Sequence, residues 1–334
     1  MTVSTVAVLG AGSWGTALGM QLARTGHSVR LWARDQAQAA AMQDSRVNQR
    51  YLPDCRLPDS LQVSADPDKT CAAADHILVA VPSHAFGATV ERIAKHVTAK
   101  TGLAWASKGF EPGTGRLLHE VARELVGDQI PLAVITGPSF AHEVARGLPT
   151  AVTAGATTPE FGQLWAGLLH GSGFRAYYTA DLVGAELGGA VKNVIAVACG
   201  MADGLELGDN ARAALITRGL AEMRRLGRAL GAEEDTLMGL AGAGDLVLTC
   251  TGNLSRNRRL GLALGAGRSV DEAVAEIGQV VEGIKTAEEV MRLARRAGVE
   301  MPIAEQVHGI LYRGWNARKG VRVLMERHLK PEAD

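Results

Sequence analysis

The first half of the chain alternates short apolar runs with amphipathic stretches. Residues 3–9, 28–32, 76–81, 103–107, 132–136, 151–154 and 174–178 read as strands, with helical patterns such as 83–97 and 116–126 between them. Strands apolar on both faces and separated by helices predict a mostly parallel sheet covered on each side. From Asp181 onward strand patterns nearly vanish, and helical segments follow one another at 182–201, 211–230, 269–277 and 286–297. The change near Thr179 and Ala180 predicts two domains, 1–180 and 181–334, as a chain of 334 residues allows. The expected class is α/β, a doubly wound sheet followed by an all-helical domain. Residues 330–334 read as a frayed end.

The passage from the first strand to the first helix carries Gly10, Gly12 and Gly15. In a dinucleotide-binding turn the first glycine permits the tight bend. The second lets backbone amides approach a pyrophosphate, and the third lets helix and strand pack closely. Here the motif follows Val6-Ala7-Val8-Leu9, opens a helix from Thr16, and leads into a second strand at His27. That context points to a bound dinucleotide with its pyrophosphate at the helix N-terminus.

The second strand ends in Trp32, Ala33 and Arg34, and Arg34 lies 34 − 15 = 19 residues beyond the last glycine. An NAD-specific site places an acidic residue there, whereas a guanidinium suits a 2′-phosphate. A preference for NADP(H) follows, with NAD(H) as the alternative. Asp35 comes next, so a one-residue shift of the turn would offer a carboxylate instead.

Composition narrows the partners. Hydrophobic residues make up 47%, and 35 basic residues balance 35 acidic ones to a net charge of zero, so nothing global points to nucleic acid or an anionic membrane. Any anion site must be local. Cys55, Cys71, Cys199 and Cys250 form no CxxC pair, which suggests reduced thiols rather than a metal or redox site. The N-terminus is accounted for as a strand and lacks the features of a signal peptide. No uninterrupted apolar run reaches about 18 residues. A soluble, cytoplasmic protein is expected.

In the second half Lys192 stands within a helical pattern almost devoid of charge, with Gly188, Gly189, Ala196 and Cys199 as its helical neighbours. A lysine on a stripe of small residues either lies in a groove where something approaches closely or snorkels out of a helix interface. In the first case its pKa falls, and it serves as a general acid or base, with Asn193 beside it to donate to a substrate oxygen. Lys108 and Gly137-Pro138-Ser139 follow strands and should stand at their carboxyl ends, where doubly wound folds place ligands; Ser139 is equally a helix cap. Asp245 closes the loop Gly239-Leu240-Ala241-Gly242-Ala243-Gly244, either exposing its carboxylate to a ligand or capping a helix. Ser255-Arg256-Asn257-Arg258-Arg259 opens a helical pattern and suits a phosphate monoester, with part of the charge run expected to be solvated.

Taken together these motifs resemble the bacterial NAD(P)-dependent sn-glycerol-3-phosphate dehydrogenases over essentially the full length. The matching runs are GAGSWGTAL at 10–18, SKGF at 107–110, GPSFAHEV at 137–144, ELGGAVKNVIA at 186–196, GLAGAGDLVLTC at 239–250, SRNRRLG at 255–261 and VVEG at 280–283. The resemblance implies an N-terminal Rossmann domain and a helical C-terminal domain similar to that of 6-phosphogluconate dehydrogenase. It implies that Ser13, Trp14, Arg34 and Ala141 contact the cofactor, with Val280 and Glu282 approaching from the C-terminal domain and Lys108 touching cofactor and substrate. Lys192 matches the family's general acid or base. Gly137, Ser139, Asp245, Ser255, Arg256 and Asn257 match its substrate positions, with Arg256 also near the cofactor. The implied reaction is reversible NAD(P)H-dependent reduction of dihydroxyacetone phosphate to sn-glycerol 3-phosphate, supplying glycerophospholipid synthesis, by a homodimer without metal. The alternatives are a related two-domain reductase of another small keto or phosphorylated substrate, or an NADP(H)-binding sensor without chemistry.

Overall fold

In the computed structural model, which describes residues 3–328 and 331, the chain forms two compact units. One comprises residues 1–107 and 118–185, the other 108–117 and 186–334. The division thus differs from a single cut at 180/181 in two ways. It falls within the helix Leu182–Gly204, and the segment 108–117 belongs to the second unit.

The first unit is built on ten strands: β1 Thr5–Leu9, β2 Ser28–Trp32, β3 Val47–Asn48, β4 Leu52–Arg56, β5 Leu61–Ser64, β6 His76–Val79, β7 Leu103–Trp105, β8 Leu132–Thr136, β9 Thr150–Ala156 and β10 Phe174–Thr179. Eight of them form one sheet in the order β10-β9-β8-β7-β6-β1-β2-β5, while β3 and β4 pair as a separate antiparallel hairpin. All neighbours in the sheet are parallel except β8 and β9. The strand order reverses at β1, which has β2 on one side and β6 on the other. That is the switch point at which doubly wound sheets bind ligands, outside the carboxyl ends of the strands.

Strands β1, β6, β7 and β8 are apolar and almost wholly buried, as a doubly covered sheet requires. The short strands β3, β4 and β5 have no continuous apolar signal, and the sequence pattern did not reveal them. β5 is an edge strand with one fully buried residue, Leu61, and the hairpin holds only Asn48, Leu52 and Cys55 buried.

The second unit is helical, organised around the second half of Leu182–Gly204, where Val191, Val194, Ile195 and Val197 are fully buried. This is the one helix among the described residues long and apolar enough to cross a membrane, and 94% of its apolar window is buried within the protein. The helices Gly208–Ala229, Asp245–Thr251, Arg256–Gly265, Glu282–Ala297 and Pro302–Arg313 complete the part that matters for function. The frayed end expected at 330–334 falls, Pro331 apart, outside the described residues.

Candidate active site

In the first unit two of the three glycines, Gly10 and Gly15, are required by space. Gly10 has φ +123°, and a Cβ there would lie 2.6 Å from the Ala80 carbonyl oxygen. A Cβ on Gly15 would overlap the carbonyl oxygen of Gly10, so strand and helix touch backbone to backbone. At Gly12 nothing lies within 4 Å of the Cβ position, so this glycine leaves open space in front of the turn. Gly12 is the N-cap of the helix Ser13–Arg24, and no side chain caps that helix. Its first-turn amides are therefore left to a ligand, and the positive end of the helix dipole faces the opening. The Trp14 indole N–H is buried without a protein acceptor in the same turn. These features fit a dinucleotide pyrophosphate.

A residue of the hairpin completes the cradle. Asn48 Nδ2 donates to the Ala11 carbonyl at 3.0 Å and to Thr16 Oγ1 at 2.9 Å, clasping the glycine turn to the first helix. Nothing in the local sequence marks it, because its partners lie more than thirty residues away.

At the end of β2 the two possibilities separate. The Asp35 carboxylate caps the helix Gln36–Ser45, accepting from the Gln38 amide at 2.7 Å, whereas Arg34 is exposed at the carboxyl edge of the sheet. The same edge carries Gly137, with φ +127° beyond β8. Ser139 donates to the Gly137 carbonyl at 2.9 Å, and it does not cap the following helix, Ala141–Ala145, whose N-cap is Phe140.

In the second unit Lys192 does not snorkel. Its ammonium is buried and donates to Asp245 Oδ1 and, at 3.0 Å, to Thr249 Oγ1. The stripe of small residues explains the approach: a Cβ on Gly188 would overlap the Ala241 carbonyl oxygen, so the turn 239–244 rests directly on the long helix. That turn is a short π-helical stretch, Leu240–Gly244, running into Asp245–Thr251. Asp245 is therefore the first residue of its helix and not an N-cap, and its carboxylate is spent on lysines. Oδ2 accepts from Lys108 Nζ at 2.7 Å, so one buried carboxylate bridges two ammonium groups. Thr249, one turn on, was not singled out from the sequence; its position four residues beyond Asp245 is the available signal.

The electrostatics follow from this packing. Burial, aided by the neighbouring Lys108 charge, outweighs Asp245 and brings the Lys192 ammonium down from the usual 10.5 to about 7. Burial works against the charge on Asp245, but the two ammonium groups prevail and hold its carboxyl below the usual range. A lysine balanced near neutrality, with its proton shared toward a carboxylate and a hydroxyl, is suited to general acid-base work.

The basic cluster opens the helix Arg256–Gly265, with Ser255 as N-cap accepting from the Arg258 amide at 3.2 Å. Asn257 Nδ2 donates to Asn193 Oδ1 at 2.8 Å, and its Oδ1 accepts from the Gly283 amide at 2.9 Å. This chain of bonds ties the cluster to Lys192's neighbour and to the start of Glu282–Ala297. Arg256 reaches the Val280 carbonyl at 2.7 Å, so Arg256, Asn257, Val280 and Glu282 converge. Arg259 is exposed, as a solvated face requires, but Arg258 is not. It pairs with Asp203 at 2.6 Å, and Asp203 also accepts from Arg212 at 2.8 Å.

Four glycines set the distance between the helices Leu182–Gly204 and Arg256–Gly265. Cβ atoms on Gly200 and Gly204 would overlap the carbonyl oxygens of Arg258 and Leu262, and those on Gly261 and Gly265 the carbonyl oxygens of Val197 and Met201. Replacing Gly261 with alanine forces backbone apart where neither helix can yield locally. It is expected to raise KM for a ligand anchored at the start of Arg256–Gly265 by about tenfold or more, the equivalent of one charge-assisted hydrogen bond. Initial-rate kinetics check this, and an unchanged KM would remove the crossing from the design of the site.

Comparison with known proteins gives one consistent answer. A family profile described as NAD-dependent glycerol-3-phosphate dehydrogenase N-terminus matches residues 5–162, and its C-terminus counterpart matches 181–322. The chain is 59% identical to a glycerol-3-phosphate dehydrogenase of Stenotrophomonas maltophilia named for use of NAD(P)+, covering 99% of this chain and 97% of that one. It is similar to the crystal structure of glycerol-3-phosphate dehydrogenase from Coxiella burnetii, with a TM-score of 0.93, 48% identity, and coverage of 97% and 99%. A ketopantoate reductase from Ralstonia eutropha, at 17% identity and TM-score 0.60, shares the fold alone. With both halves matched in order and nearly the whole length covered, the chain belongs to the NAD-dependent glycerol-3-phosphate dehydrogenase family.

Proposed function

We propose that this chain reduces dihydroxyacetone phosphate to sn-glycerol 3-phosphate, reversibly, with Lys192 as the proton donor. The observation that carries the reading is the buried Lys192–Asp245–Thr249 cluster with its ammonium lowered to about 7. The nicotinamide, when bound, supplies the hydride that reaches C2 of the ketone. Lys192 gives its proton to the ketone oxygen as that oxygen gains charge, and recovers one from solvent between turnovers. Asn193 has its carbonyl oxygen engaged by Asn257 and one amide N–H on the Gly189 carbonyl at 3.4 Å, which leaves its second amide N–H for the substrate. Arg256, Asn257 and the N-terminus of Arg256–Gly265 hold the phosphate, while Lys108 and Asp245 orient the hydroxyl end. Family resemblance adds Gly137, Ser139 and Ser255 to the substrate set.

Gly10, Gly12, Ser13, Trp14 and Gly15 hold the pyrophosphate region, and family resemblance adds Ala141, Val280, Glu282, Lys108 and Arg256 to the cofactor set. Arg34 favours the 2′-phosphate, since Asp35 is committed to its cap. Replacing Arg34 with alanine is expected to raise KM for NADPH by about tenfold, the usual scale of a charge-assisted bond, and to leave KM for NADH nearly unchanged. Equal changes for both cofactors would overturn that assignment. The primary test mixes the pure protein with dihydroxyacetone phosphate and follows oxidation of NADPH and NADH separately; oxidation of neither would sink the reading.

The reading extends to a cytoplasmic homodimer that feeds glycerophospholipid synthesis, supported by family resemblance and, for the compartment, by four free and buried cysteines.

A further inference from the structure

Lys108 reaches Asp245 from a segment with its own anchorage. The segment 108–117 belongs to the second unit, although strand β7, just before it, belongs to the first. Lys108 is followed by Gly109 at φ +145°, a conformation glycine adopts readily, and there the chain turns into the segment. Beyond it the segment is stiff. Glu111 and Arg116 pair through two bonds of 2.7 and 3.0 Å, the Glu111 amide donates to the Arg116 carbonyl at 3.0 Å, and Phe110 and Leu117 are buried.

The stiff part is held to the helix Glu282–Ala297, where Arg296 donates to the Thr114 carbonyl at 3.4 Å. Glu289, in the middle of Glu282–Ala297, is 4% exposed, and its Oε1 accepts from the Gly113 amide at 2.7 Å. Gly115, at φ +68°, brings the loop within van der Waals range of the same residue, its Cβ position lying 3.2 Å from the Glu289 carbonyl oxygen. Arg292 is the carboxylate's cationic partner at 3.2 Å. A buried carboxylate turned to a loop amide is costly unless that bond is kept, so Glu289 fixes the loop rather than decorating it.

We propose that Glu289 is a positioning residue for the reaction, acting through the segment 108–117 to hold Lys108 against Asp245. It touches no reacting atom, and the proposal rests on the role given to Lys108 above. With the anchor lost, Lys108 leaves its station. Its bond to Asp245 fails, and Lys192 is relieved of the neighbouring positive charge that helps to lower its pKa.

The test compares Glu289→Met, Glu289→Gln, Lys108→Ala and the Glu289→Met/Lys108→Ala double variant. Methionine keeps the buried volume without an acceptor, while glutamine retains an oxygen for the Gly113 amide. Glu289→Met is expected to raise KM for dihydroxyacetone phosphate about tenfold and to move the fall in reductive rate to higher pH, as Lys108→Ala does. Glu289→Gln should restore both, and the double variant should be no worse than Lys108→Ala. Wild-type KM and pH profile in Glu289→Met beside an impaired Lys108→Ala would overturn the proposal, as would additive defects in the double variant or a failure of glutamine to restore either readout. An unimpaired Lys108→Ala would instead overturn the role of Lys108 itself.

Discussion

Replacing Lys192 with alanine is expected to lower turnover in dihydroxyacetone phosphate reduction by at least about 10²-fold, the usual size of a positioned general acid. The loss should be catalytic rather than structural. Lys108 remains at 2.7 Å from Asp245 after the substitution, so the buried carboxylate keeps a cationic partner. NADPH binding, followed by quenching of tryptophan fluorescence, should be unaffected, because the glycine turn makes no use of Lys192. Near-normal turnover would reject the assignment.

As the proposed acid, the same residue should set the pH dependence. Reduction needs the protonated amine, so its rate should fall as pH rises through about 7, the pKa of the buried ammonium, while the reverse oxidation should rise over the same range. Stability runs in its own direction. The unfolded lysine titrates near 10.5 and the folded one near 7, so between these values the unfolded chain binds more protons. This group therefore makes the fold more stable as pH rises across that interval, and the difference is fully developed only above it. A Lys192→Ala variant should lose the titration from both profiles.

How much of this was legible depended on how far apart in sequence the partners lie. The glycine turn was readable because Gly10, Gly12 and Gly15 act on one another and on the adjoining strand. Lys192 stands out because its small neighbours lie on its own helix, but the helix alone does not decide between snorkelling and a buried partner. The partner that decided it, Asp245, is 53 residues away, and Lys108 is 137 residues from that carboxylate. Asn48, Asp203 and Glu289 carry no local signal for the same reason. Each is an ordinary polar residue in its local context and gains meaning only from partners 37, 55 and 176 positions distant. Arg258 illustrates the converse. The charge run in which it sits suggested a solvated face, but one turn of the helix carries it to Asp203, away from exposed Arg259. Local periodicity determined which residues share a helix; long-range packing determined which of their charges are used.

Asp245 is where these distant contacts meet, and replacing it with asparagine gives the sharpest outcome. The amide keeps the size of the side chain but removes the charge that holds two lysines together. Lys192 then faces burial and the Lys108 charge without compensation, so its pKa should fall further below about 7. At neutral pH it would be deprotonated and unable to supply the proton. Turnover in reduction should drop by about 10²-fold or more, with residual activity recovering toward acid pH, a pattern the alanine variant at 192 cannot show. Removing one partner of a buried ion pair costs about 3–5 kcal/mol when the other charge has no escape. Here there is one, because Lys192 sheds its proton and Lys108, at 16% side-chain exposure, can turn to solvent. The destabilisation should accordingly be largest at acid pH, where Lys192 must be buried charged, and shrink as pH rises. Thermal melts of wild type and variant across pH read this directly. A stability loss that did not change with pH would mean that Asp245 serves the fold through shape alone, and that the charge balance at Lys192 is set elsewhere.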